Sequence, residues 1–163
     1  MEPRIEFLPQ KKLVGQSIKM SLANDSTAEL WGSVMPLVKT VQNSVSNDLF
    51  SVQIYDADSS FSNFTPQTTF TKWAAIEVSN FNDLPKELVP HTLNGGLYAI
   101  FTHKGNAEAF AKTSQYIFGE WIPNSAYDLD QREHFELLGS KYKKDSSESE
   151  EEVWIPIRLK RIS

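Results

Sequence analysis

The sequence predicts an α+β domain built from two tandem strand–helix–strand–strand repeats that form one antiparallel sheet with two helices on one face. Three observations predict this fold. The same order of elements occurs twice, short segments correspond between the halves, and each half alone has too little apolar surface for its own core. The repeats span about 5–80 and 96–160 of a single domain over 1–163. We expect a pseudo-twofold axis between the helices and a ligand pocket at the repeat junction.

The first repeat contains one helix, whose start and apolar stripe can be read from the sequence. Ser26 and Glu29 have the spacing of a capping box, in which each side chain bonds the other residue's backbone. Apolar residues at helical spacing follow from Leu30 to Val45, and Pro36 is expected to kink this helix. The strand-like segments of this part of the chain are 4–8, 12–22, 49–55 and 69–79.

The second repeat follows a turn-rich link at 80–95 and shows the same order of elements. Asn106 is placed to cap a helix over 107–121, and Pro123 is expected to end that helix. A loop rich in charged residues connects the last two strands. The strand-like segments of this repeat are 97–103, 135–138 and 153–159.

Four pairs of segments correspond when the two halves are laid together. The match places Ser51 at the position of Glu136, so the predicted site has its charge in the second half only. The offset between the halves changes slightly along the chain, as differences in loop length would cause. The corresponding segments are Leu13–Met20 with Leu97–Lys104, Ala28–Trp31 with Ala107–Phe110, Phe50 with Phe135, and Trp73–Ile76 with Trp154–Ile157.

Composition excludes several classes of function. The net charge of −5 argues against a nucleic-acid surface, which needs clustered Lys and Arg. Cysteine is absent, and the 3 histidines lack metal-ligand spacing, so we expect no metal. Phosphate-binding loops and Ser/His/Asp motifs are also missing, so we expect no cofactor. Without a signal peptide or a membrane-spanning apolar run, the expected location is the cytoplasm.

Glu136 is the residue most suggestive of chemistry, because it interrupts the short apolar segment His134–Leu138. Strand alternation puts it on the face opposite Phe135 and Leu137. One interpretation is a solvated face. The other is a buried carboxylate with a raised pKa and a cationic partner, surrounded by aromatic side chains. Trp121, at a helix end, is a candidate for one of these aromatic side chains. The residues alone leave both interpretations open.

Several segments follow the order and spacing of a known family. They resemble the GyrI-like, or AraC-type effector-binding, small-molecule-binding domain. The likeness covers nearly the whole chain and is strongest over 90–159. In the second half it rests on Gly96–Gly105, Ile117–Ser125, Phe135-Glu136 and Trp154–Ile157, and in the first half on Phe70–Val78.

The resemblance implies a pocket at the repeat junction, lined by aromatic residues and centred on an acidic residue that matches Glu136. Trp121 and Trp73 match aromatic positions of the family's motifs. Together with Tyr98 and Phe118, they are expected to pack around the apolar body of the ligand.

The resemblance also implies a function. We expect a stand-alone binding protein for lipophilic, cationic drugs or effectors, linked to transcription regulation or drug resistance, without direct contact to nucleic acid. Two alternatives stay open at this point. One is a hydrolase of strained electrophiles that uses Glu136, and the other is a protein-interaction role similar to that of gyrase inhibitors. A protein partner or a homodimer is compatible with each.

Overall fold

The computed structural model describes residues 1–56, 63–144 and 146–161, so part of the predicted loop after 55 lies outside the described residues. Two main helices and nine strands are present in these ranges. The helices are α1 (Thr27–Val38) and α2 (Ala107–Tyr116), and α2 continues through a π-helical turn (Ile117–Trp121) into the short α3 (Ile122–Asn124). The strands are β1 (Arg4–Leu8), β2 (Lys11–Met20), β3 (Leu49–Ile54), β4 (Phe70–Val78), β5 (Val89–Leu93), β6 (Gly96–Lys104), β7 (Tyr127–Leu129), β8 (His134–Leu138) and β9 (Glu150–Leu159).

The strands form an antiparallel sheet in the order β1-β6-β9-β8-β3-β4-β2-β5, and β7 pairs with β9 beside this path. The first repeat is β2-α1-β3-β4 and the second is β6-α2-β8-β9. The predicted fold class is confirmed. The repeats meet at the centre of the sheet, where the third element of each, β3 and β8, pair with one another.

The pseudo-twofold axis passes through one residue pair in these central strands. Ser51 of β3 lies directly opposite Glu136 of β8. The rotation that exchanges these two residues also exchanges Phe50 with Phe135, and it maps the β3–β8 ladder onto itself. The predicted correspondence of Phe50 with Phe135 therefore agrees with the register of the structure.

The edge strands are exchanged between the repeats. β1 pairs with β6 of the second repeat, and β5 pairs with β2 of the first. β5 lies within 80–95, which the sequence analysis predicted to be a link. Pro90 belongs to it, and proline is tolerated there because an edge strand has a side without ladder bonds. The three-residue β7 was also missed, since so short a strand has no detectable period.

The strand registers correct two of the predicted correspondences. Leu13 corresponds to Tyr98, one residue later than the sequence match placed it. Ala75, and not Trp73, corresponds to Trp154. The sequence match aligned residues of like type, whereas the structure aligns residues on the same face of the sheet. A shift of one residue moves a side chain to the other face, so the first correction changes the expected surroundings completely.

Helix α1 differs from its prediction at both ends. It ends at Val38, two residues after Pro36, and does not continue to Val45, whose side chain is exposed. Pro36 lies in the last turn of this helix, and its missing N–H removes one bond of the preceding turn. At the other end, Ser26 makes no side-chain capping bond, and the capping box is wrong. The Asp25 carboxylate accepts the first backbone N–H of the helix instead (2.9 Å).

Helix α2 begins as predicted and ends later. The Asn106 side chain caps it by accepting the backbone N–H of Ala109 (3.1 Å). The helical segment runs through the π-helical turn to Asn124, beyond the predicted end at Trp121. The segment ends one residue after Pro123, close to the end that this proline was expected to cause.

The core consists of three clusters of buried side chains. One lies between α1 and the first repeat's strands, and a second lies between α2 and the second repeat's strands. The third covers the opposite face of the sheet and draws residues from both repeats. Its buried members are Leu8, Leu13, Phe50, Val52, Trp73, Ala75, Leu93, Tyr98, Ile100, Phe135 and Trp154.

Candidate functional site

The two central strands carry polar side chains on the face that holds the helices. These residues are Ser51 and Gln53 of β3 and His134 and Glu136 of β8. The alternate residues, such as Phe135, point into the core of the opposite face. Burying polar side chains in the middle of a sheet costs free energy unless they form hydrogen bonds or bind a ligand. This row is therefore a candidate site.

The polar row lies between the two helices. On one side, Ala74 pairs with Ser51 and belongs to the cluster under α1. On the other side, Val153 pairs with Glu136 and belongs to the cluster under α2. We call this region the helix groove, and define it by Ser51, Gln53, Lys72, His134, Glu136 and Glu151.

Glu136 is the acidic centre of the helix groove. Its side chain is partly buried, and its Oε1 accepts a hydrogen bond from Nε2 of Gln53 (3.2 Å). Burial raises the pKa of Glu136, and the nearby Lys72 ammonium and the Gln53 bond oppose this in part. A cationic partner would therefore stabilise the ionised form of this carboxylate.

Lys72 brings a positive charge into the same groove. It lies on β4 opposite Gln53, which puts it on the helix face, and it is only 7% exposed. Within the part of the chain that the structure describes, no acceptor lies within hydrogen-bond distance of its ammonium. Burial lowers the pKa of Lys72, although the carboxylates of Glu136, Asp25 and Glu151 partly offset this.

Glu151 is the second acidic residue of the groove. It lies near the start of β9, two residues before Val153 and on the same face. Burial, followed by the charge of Glu136, raises the pKa of Glu151 to about 7, against the influence of Lys72. Since Ala75 corresponds to Trp154, Lys72 corresponds to Glu151. The expectation that the charge lies in the second half only is therefore wrong.

Aromatic rings border the polar row. The ring of Tyr55 lies 4.9 Å from that of His134, 5.3 Å from that of Phe70 and 5.9 Å from that of Phe64. The ring of Phe118, in the π-helical turn, lies 6.2 Å from His134. Burial lowers the pKa of His134 to about 3, so its ring is neutral and acts here as an aromatic surface.

The structure brings only part of the predicted site together. Glu136 and Phe118 both border the helix groove. Trp121 packs instead against two aromatic rings of the α2 cluster, at 5.3 and 6.2 Å. Trp73 and Tyr98 lie on the opposite face of the sheet, in the core cluster there. The sheet separates these two residues from Glu136, so they are not part of the groove.

Two charged groove residues were missed by the sequence analysis. Lys72 had a detectable signal, because it is a charged residue that shares a strand face with the apolar Ala74 and Ile76. Glu151 had none, since it lies within a run of acidic residues that resembles a solvated loop. Its place in the groove follows from strand pairing, which local sequence does not encode.

Within 1–56, 63–144 and 146–161, no helix is long and apolar enough to cross a membrane. Over the same ranges, no group of three or more His, Cys, Asp or Glu side chains could hold a metal ion.

A family model, the GyrI-like small molecule binding domain, matches residues 1–158. The chain belongs to this family. The resemblance inferred from the sequence is confirmed, and the helix groove is the candidate site of a small-molecule-binding domain. A comparison with curated proteins gives no match.

Solved structures share the fold of this GyrI-like domain at low sequence identity. SAV2435 bound to tetraphenylphosphonium is similar with a TM-score of 0.70 and 17% identity, over 97% of this chain and 94% of that one. The C-terminal domain of EcmrR has a TM-score of 0.71 and 13% identity, over 98% of both chains. A hydrolase encoded by lin2189 from Listeria innocua has a TM-score of 0.55 and 11% identity, over 96% and 92%.

Proposed function

We propose that the helix groove binds a lipophilic small molecule with a cationic group, and that ionised Glu136 pairs with this group. The observation that carries the proposal is the position of Glu136. It lies next to the pseudo-twofold axis, between two helices and on one strand face with His134, and keeps part of its surface accessible. With Glu136 and Glu151 both ionised, the carboxylates of the groove outnumber the Lys72 ammonium by one.

The aromatic border supports the same ligand class. Tyr55 and Phe118 contact the ring of His134, which shares a strand face with Glu136, and Phe64 packs on Tyr55. A desolvated cation gains from such rings through the attraction between its charge and the electron-rich ring faces. The similarity to SAV2435 bound to tetraphenylphosphonium, a lipophilic cation, supports the proposal by analogy of fold.

We further propose that ligand binding regulates a partner, such as the transcription apparatus. The support is the likeness to the EcmrR C-terminal domain and to EcmrR in a complex with DNA, in which the matched region covers 58% of the EcmrR chain. Neither a basic surface nor a helix-turn-helix is needed for this role if a partner supplies the contact to DNA.

Titration with tetraphenylphosphonium tests the role of Glu136. Binding measured by calorimetry should weaken at least about tenfold in Glu136→Gln, since the charge partner is lost while the shape is kept. Glu77→Gln is a matched control, because Glu77 is a partly buried carboxylate on the opposite face, paired with Lys11 at 3.3 Å. Equal affinities of wild type and Glu136→Gln would contradict the proposal.

A second candidate function is hydrolysis of a strained electrophile. Glu136 and Glu151 are carboxyl groups of raised pKa in one groove, a pattern that suits proton transfer. The test is multiple turnover of an electrophilic cyclopropane probe. Product formation that disappears in Glu136→Gln would favour catalysis, whereas saturable binding without product would exclude it.

A further inference from the structure

Lys72 is a largely buried residue whose ammonium makes no hydrogen bond or ion pair within the part of the chain that the structure describes. Lys72 is 7% exposed, and no described oxygen accepts from its Nζ. Holding a lysine largely out of water without such a bond costs free energy. A costly charge at this place is explained if a ligand completes its bonding.

The side chains of Lys72 on β4 and Glu136 on β8 both lie in the helix groove. Gln53 lies between them, because it is opposite Lys72 in the register and donates to Oε1 of Glu136 (3.2 Å). The two charges are close enough to act on each other's pKa, yet no ion pair within 4.0 Å joins them. The groove therefore holds two separated charges of opposite sign.

We propose that Lys72 determines ligand specificity and that the ligand of the helix groove is a zwitterion. Its cationic group pairs with Glu136, and its anionic group, of the carboxylate or sulfonate class, accepts from the Lys72 ammonium. This inference rests on the proposed function, because it keeps the cationic partner of Glu136 and adds a second contact.

A ligand with one charge fits the groove less well. A simple cation meets the attraction of Glu136 but also the repulsion of Lys72, which lies on the same face of the sheet, opposite Gln53. A simple anion meets both Glu136 and Glu151. Opposite charges on one ligand match both sites and also fix its orientation, since Lys72 and Glu136 lie on different sides of the axis.

Rhodamine B and its ethyl ester are a suitable pair of probes. Both have the same aromatic cation, and only the free acid carries a carboxylate at neutral pH. In fluorescence anisotropy titrations, wild type should bind rhodamine B at least about tenfold more tightly than the ester. Lys72→Met should reverse this preference, because it removes the carboxylate partner and the repulsion of the cation together. Lys72→Arg should keep the wild-type preference.

Lys12→Met is the matched control. Lys12 is an exposed lysine at the far end of the β2–β4 ladder, opposite Val78, so its loss changes the net charge equally without touching the groove. Its dye preference should equal that of wild type. The wild-type comparison needs no variant, so it tests the proposal even if Lys72→Met fails to fold.

Two outcomes would overturn the inference. One is a wild type that binds the ester as tightly as rhodamine B. The other is a Lys72→Met variant that strengthens or weakens both dyes equally, which would make Lys72 an internal counter-ion only. Glu136→Gln separates this failure from failure of the proposed function. If it weakens both dyes, the cation site stands without the zwitterion, and if it changes neither, the cation site itself is refuted.

Discussion

The central strands of the two repeats carry matching apolar residues on one face of the sheet and different residues on the other. On the face away from the helices, Phe50 and Phe135 occupy corresponding positions, both are buried, and their rings lie 5.4 Å apart. This face is a closed core to which each half contributes strands. Packing requires apolar side chains of complementary volume there, so the central strands match in residue type, while size differs at other positions, such as Ala75 with Trp154.

On the helix face the corresponding positions differ in charge. Ser51 corresponds to Glu136 and lies opposite it, and Lys72 corresponds to Glu151. These positions lie between the two described helices, so the packing of the helices on the sheet does not require them to be alike. A scaffold with twofold pseudosymmetry thereby acquires a polar groove with different ends. Such a groove can orient a ligand that is itself asymmetric.

The substitution with the largest expected effect makes the two residues at the axis, Ser51 and Glu136, alike in charge. Ser51→Glu places a second carboxylate directly opposite Glu136 in the buried centre of the sheet. Like charges at opposed positions repel, and neither is fully solvated, so we expect a loss of about 3 kcal/mol in the free energy of unfolding at pH 8. The loss should shrink toward pH 5 as one carboxyl takes up a proton. Chemical denaturation at both pH values measures it.

Ser51→Gln is the control for this substitution, because it adds a side chain of the same size without the charge. It should cost less than Ser51→Glu at pH 8 and show little dependence on pH. Equal losses in the two variants at pH 8 would mean that steric crowding, not charge, distinguishes the two halves at the axis.

The fold could be predicted because its information is local and periodic. The order of elements, the cap at Asn106 and the correspondence of Phe50 with Phe135 follow from nearby residues. The register of the outer strands could not be predicted in this way. Matching Trp73 with Trp154 followed residue type, whereas strand pairing places Ala75 there. The edge strand β5 could not be recognised in the sequence, because Pro90 and the turn residues around it are not typical of a strand.

A second test uses the pH dependence of Glu151. Its pKa is raised from 4.5 to about 7 in the folded protein, so the folded state binds this proton more tightly than the unfolded state. Stability should therefore fall as the pH rises from about 4.5 through 7, by about 3 kcal/mol at most, and the loss is complete above pH 7.

Glu151→Gln should remove that part of the decline, which chemical denaturation between pH 5 and pH 8 would show. Glu150→Gln is the matched control, because Glu150 neighbours Glu151 in β9 and its side chain alternates to the other face. If Glu151→Gln and wild type lose stability in parallel over this range, Glu151 is not the group that titrates.

The site was harder to predict than the fold, for a physical reason. Glu136 could be found because a carboxylate inside a short apolar strand is conspicuous in the sequence. Trp73 and Tyr98 match family motifs, but a motif position does not state which face of the sheet a side chain occupies. Lys72 and Glu151 come together only through pairing of strands distant in the sequence, which no local pattern contains.

The smallest test compares the two helix starts. Asn106 caps α2 by a side-chain bond to the N–H of Ala109, whereas Ser26 makes no such bond at α1. Asn106→Ala should therefore cost about 1 kcal/mol in thermal or chemical denaturation. Ser26→Ala should stay within about 0.5 kcal/mol of wild type, since Asp25 already accepts the first backbone N–H there. Equal losses in these two variants would show that both helices depend on their caps alike, and the difference between the halves would then be confined to the groove.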